Sequence, residues 1–93
     1  GGVIDKVSFY KNRAAGDCYM YTVLYDKSAN NRMVAFSVDF LDEEKYAAKN
    51  MHTIELSNPL KLSGDTDRYI LKLIFTDSKT DLMPVCNAFV YSE

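Results

Sequence analysis

The sequence predicts a mainly β domain: a small antiparallel β-sandwich or half-barrel of about six strands with one short helix. Three observations carry this. Apolar and polar residues alternate with a period of two along most of the chain, the pattern of strands with one buried face. Turns rich in Asn, Asp, Ser and Gly separate those segments. The connections are too short for parallel crossovers, so neighbouring strands are expected to run antiparallel.

The first strand runs through Val3, Asp5, Val7 and Phe9 on one face and Ile4, Lys6, Ser8 and Tyr10 on the other. Residues 12–17 (NRAAGD) supply a turn. Residues 18–25 (CYMYTVLY) are rich in aromatic and β-branched side chains and read as a second strand. A polar loop, 26–32 (DKSANNR), leads into the cleanest alternation of the chain, Val34, Phe36, Val38 and Phe40. These two strands form a hairpin.

The helix is placed at residues 42–50: Asp42 can cap it, Glu43 and Glu44 favour the positive end of its dipole, and Asn50 can end it. Two turns at most, it depends on packing through Tyr46 and Ala47. A fourth strand, 51–56, ends at the Ser57-Asn58-Pro59 turn. Leu60 and Leu62 tuck in before the Ser63-Gly64-Asp65 turn. Residues 68–76 carry Tyr69, Leu71, Leu73 and Phe75 on one face and Ile70 and Ile74 on the other, which suits a central strand covered on both sides. After the 77–81 turn, residues 85–91 form the last strand, with Pro84 at its start, where a missing donor does least harm. The rival architecture is a single antiparallel sheet wrapped on a helix over 36–49, because Val34, Ala35, Val38, Leu41 and Lys45 also fit helical spacing.

With 93 residues, 47 % hydrophobic and 26 % charged, the chain has the composition of one globular domain spanning 1–93. Its formal charge is −2, with no run of Lys or Arg, so a phosphate-tracking surface is not expected and no nucleic-acid partner is assigned. The longest apolar stretch, 69–75, is interrupted by Lys72 and is far shorter than a membrane span of about 20 residues, so no membrane partner is assigned either.

Cys18 and Cys86 lie in the second and last strands. A disulfide between them would clamp the ends of the fold, a stabilisation of about 4 kcal/mol in the chain-entropy model. The alternative is two buried reduced thiols. A bridge in so small a domain favours a secreted or otherwise extracytoplasmic location. Gly1-Gly2 without an initiator methionine fits a chain trimmed in the cell, and equally an engineered start.

Reactive chemistry is thin. His52 is the single histidine, and a Cys86–His52 pair would lack a glycine turn or helix start to activate the thiol. The acid pairs Asp65 with Asp67 and Asp77 with Asp81 flank one strand. Its length of roughly 3.3 Å per residue keeps the pairs about 30 Å apart, too far to share a cation. Each is better read as turn chemistry. No metal, no cofactor and no enzymatic activity are expected.

Seven tyrosines remain. Tyr19, Tyr21 and Tyr25 share a strand face, and Tyr10 precedes the same turn. Exposed, they would make a contact surface of large area at low entropic cost; the alternative turns Tyr19, Tyr21 and Val23 to the core. The five phenylalanines, Phe9, Phe36, Phe40, Phe75 and Phe89, are expected to fill the interior.

Residues 60–91 resemble the central hairpin of cystatin-type protease inhibitors, keeping only the glycine of the Q-x-V-x-G loop as Gly64. Residues 7–16 resemble the opening of a βγ-crystallin motif, with no second copy. Neither covers enough of the chain to assign a family. The expected function is a non-catalytic protein-binding module, a secreted inhibitor, effector or neutralising protein whose partner is another protein. The alternative is a small-molecule or lipid carrier with a cavity inside the β fold.

Overall fold

The computed structural model describes residues 2–14, 16–77 and 89–90, the last pair as backbone only. Its strands are β1 (Gly2–Lys11), β2 (Cys18–Asp26), β3 (Arg32–Leu41), β4 (Asn50–Leu62), β5 (Tyr69–Thr76) and a two-residue β6 (Phe89–Val90). β1 and β4 pair as one antiparallel sheet. The other sheet has the order β3-β2-β5-β6, also antiparallel throughout. The mainly β, two-sheet architecture is therefore the one expected, with β2 and β5 inside the larger sheet. Of the last predicted strand only β6 falls within the described residues, and Pro84 lies outside them. β3 is strand along its whole length, which removes the rival reading of a helix over 36–49.

The core lies between the sheets. Val7 and Ile54 from the small sheet meet Met20, Leu24, Leu71 and Leu73 from the large one, all buried. At roughly 25 cal/mol per Å2 of apolar surface removed from water, such aliphatic burial is the main stabilising contribution in a domain this small.

Paired charges stand at both ends of this core. At one end the Asp26 carboxylate accepts two bonds from the Arg68 guanidinium, at 2.7 and 3.3 Å, and two from Ser28, at 2.6 and 2.9 Å. These donors, Arg68 first, hold the Asp26 carboxyl far below the usual carboxylate range. At the other end the buried Lys11 ammonium pairs with Glu43 and donates to the Tyr46 carbonyl at 2.7 Å.

That second pairing explains why residues 42–50 are not a helix. One helical turn forms, with the Tyr46 N–H bonded to the Asp42 carbonyl at 2.8 Å. To continue, the Lys49 N–H would need the Lys45 carbonyl, and the Asn50 N–H would need that of Tyr46. Instead Lys49 donates to the Lys11 backbone carbonyl at 2.6 Å, the Lys11 side chain holds the Tyr46 carbonyl, and Lys49 sits at φ 67°. Tertiary bonds to β1 win over local propensity.

The Ser57-Asn58-Pro59 segment also differs from its predicted turn. β4 runs on to Leu62 but slips register, so that two steps along β1, from Ile4 to Lys6, match five along β4, from Leu60 to Glu55. Pro59 sits in this bulge, where its missing N–H costs no ladder bond. The bulge reaches across to β3: the Ser57 hydroxyl donates to the Val38 carbonyl at 2.8 Å, and the Asn58 amide group donates to the Phe36 carbonyl at 2.8 Å. Backbone N–H groups of Ser57 and Asn58 add bonds to the Asp39 carboxylate and the Ser37 hydroxyl. β4 and β5 lie in different sheets, so the hairpin implied by the cystatin resemblance does not form.

Candidate functional site

Side chains directly opposite one another in a sheet share a face. In the large sheet, Tyr19 faces Phe40, Tyr21 faces Val38 and Val23 faces Phe36 across the β2–β3 ladder. Tyr21 faces Ile74 and Tyr25 faces Ile70 across the β2–β5 ladder. The face of this sheet turned away from β1 and β4 is thus aromatic and β-branched. Lys72 supplies its charge, with the ammonium 5.1 Å from the centre of the Tyr25 ring.

This face has a buried middle and an exposed margin. Tyr21, Val23 and Ile74 are buried, with Tyr19, Tyr25, Met33 and Val38 half-buried against them. Along β3 the apolar surface opens to solvent: Phe40 is 53 % exposed, Val34 42 % and Phe36 38 %. Tyr19 meets Phe40 edge-on at 5.3 Å, and Tyr21 stacks with Phe36 at 6.2 Å, so β2 holds the exposed rings in place. Val34 is the residue the ladder skips, between the Leu24–Ala35 and Tyr25–Met33 pairs, and this bulge turns it outward.

The predicted contact residues therefore divide. Tyr19, Tyr21 and Tyr25 do share one face, but Tyr21 is fully buried and serves as support for the rings beside it. Tyr10 belongs to the other sheet, opposite Met51, and is half-exposed. Phe36 and Phe40 are not core residues as expected, because β2 alternates apolar side chains on both faces and the aliphatic one, Met20 and Leu24, packs inward. A usable signal lay in β2, whose inward positions hold Met20 and Leu24 and whose outward positions hold three tyrosines.

The Cys18–Cys86 bridge is not seen. Cys18 is a buried free thiol, and Cys86 lies outside the described residues. Burial pushes the Cys18 pKa up, Lys11 opposes this, and Glu43 and Asp17 add to the rise. Burial thus favours the neutral thiol over the thiolate. The His52 imidazole bonds the Ala47 carbonyl at 2.7 Å and packs between Phe9 and Tyr46, a structural post. Asp42 and Asp65 accept bonds from the N–H groups of Glu44 and Asp67, two residues on in each case, as turn-forming acids do. Among the described residues, no group of three or more His, Cys, Asp or Glu is placed to hold a metal ion, and no helix is long and apolar enough to cross a membrane.

Fold and surface together define a small two-sheet antiparallel β domain with one aromatic outer face. No family model, curated protein or solved structure matches the chain.

Proposed function

We propose that this chain is a non-catalytic protein-binding module that recognises another protein through the aromatic strip on β3 and the flanking tyrosines Tyr19 and Tyr25. The observation that carries the reading is the exposure of Phe36 and Phe40, on the same face of β3 to either side of Val38, where Lys72 is the charge among the described residues. Large apolar rings with low conformational freedom, depleted of charge around them, are the composition of the centre of a protein interface. The half-buried neighbours fix the ring orientations in advance, which lowers the ordering cost of association. Recognition of this kind needs no cofactor, nucleic acid or membrane.

A secreted inhibitor, effector or neutralising protein fits this picture, and the extracytoplasmic location rests on the pairing of Cys18 with Cys86. Intact mass with and without reductant tests the bridge: a gain of two hydrogens supports it, and an unchanged mass rejects it. For the interface, a tagged chain and its Phe36→Ser/Phe40→Ser variant are used side by side for affinity capture from the native host. A protein held by the first should bind the second at least about tenfold more weakly, as expected for loss of two central aromatic anchors. Equal affinity for a folded double variant would refute the strip as the contact surface.

A further inference from the structure

Where β1 and β5 end, an open cleft of about 880 Å3 enters the domain. Its walls include Phe9, Phe75, Leu41 and the Cys18 thiol, and its rim carries Arg13 and Asp77. This volume is within the range of small-molecule sites, which pair an apolar interior with a few polar groups. The cleft belongs to neither the β3 strip nor the reading built on it.

Its chemistry is asymmetric. The Phe9 and Phe75 rings meet at 5.1 Å and a 57° tilt, and Phe75 keeps 37 % of its surface exposed although it faces inward beside Met20. An aromatic body laid against Phe75 would cover that surface in the tilted or offset geometry rings prefer. Among the described residues, two cations line the cleft, Lys11 and Arg13. Lys11 is committed to Glu43 and the Tyr46 carbonyl. Arg13 is exposed and makes no ion pair among the described residues, so its guanidinium is available to an anion. Asp77, after β5, repels an anion from its own side and so sets the direction in which a charged ligand would lie.

We propose that this cleft binds a small aromatic monoanion, a flat ring system bearing one carboxylate, with the rings against Phe9 and Phe75 and the carboxylate at Arg13. The probe is naphthoate, titrated into isotope-labelled full-length chain and followed by amide NMR shifts. Saturable shifts are expected at residues 9–14 and 75–77, with a Kd on the order of 0.1–1 mM for a ligand of this size. Arg13→Ala should weaken binding about fivefold and Asp77→Asn should tighten it about twofold, both at exposed positions that leave the fold intact. Phe75→Leu, which keeps an apolar side chain but loses the ring, should weaken it about threefold. Naphthylmethylammonium, the same rings with the opposite charge, should bind about tenfold more weakly than naphthoate. No saturation by about 10 mM, shifts centred on residues 34–40, or equal affinity in Arg13→Ala would each overturn the proposal.

Discussion

The two faces of β2 are built from different materials. Inward, Met20 and Leu24 pack with Leu71 and Leu73 in an aliphatic layer with an ion pair at each end. Outward, Tyr19, Tyr21 and Tyr25 lie among phenylalanine, valine and isoleucine, and that layer thins into exposed rings along β3. On β2 the inner side chains, Cys18, Met20, Thr22 and Leu24, are all withdrawn from water, whereas the outer ones are so only at the middle of the strand. Hydrophobicity alone therefore does not tell the two faces apart; what differs is that β1 and β4 cover the inner one.

That contrast can be broken at its strongest points first. Leu73→Ala inside and Tyr21→Ala outside should each cost about 3–4 kcal/mol in urea unfolding, because both side chains are fully buried. A cost below about 1 kcal/mol for Tyr21→Ala would show that the outer layer has no buried centre.

The ion pair that ends the inner layer gives the next effect. Asp26 has its folded pKa lowered, chiefly by Arg68, so its contribution is fully present above the unfolded value near 4 and declines as pH falls below it towards the folded value. Unfolding free energy measured against pH should fall on acidification below about pH 4. Asp26→Asn should be less stable at neutral pH, with a shallower acid decline. Parallel curves for the two proteins would remove Asp26 from the account.

Thr22 sharpens the comparison from the inner side. Its hydroxyl is the one buried side-chain polar atom with no hydrogen-bond partner among the described residues. Thr22→Val removes that orphan at nearly constant volume and should stabilise by about 1 kcal/mol. Smallest of all, Phe40→Ala at the exposed margin should change stability by less than about 0.5 kcal/mol. A larger loss would mean that the margin is core after all.

Much of this fold was legible because its signals are local. Residues 18–25 and 34–40 read as a hairpin from their composition, and the pairing of Cys18 with Leu41 confirms it. Asp65 read as a turn acid because short carboxylates bond backbone donors two residues on, and Asp42, read instead as a helix cap, makes the same local bond. What failed was set at a distance. The helix at 42–50 loses its donors and acceptors to Lys11, more than thirty positions earlier. The turn at Ser57 is drawn into a bulge by bonds to β3. The outer face was half visible: Tyr19, Tyr21 and Tyr25 do share it, but the exposed rings on it are phenylalanines, whose side of β3 follows from which face of β2 meets the other sheet.

The bridge from Ser57 and Asn58 to β3 has a consequence for how this molecule meets others. A β3 without it would offer a continuous row of free main-chain carbonyls, an invitation to any passing extended peptide. With the Phe36 and Val38 oxygens already engaged, an incoming strand cannot zip along the middle of that rim. The rim of the larger sheet is thus guarded at its middle against backbone templating, the route that runs towards fibres.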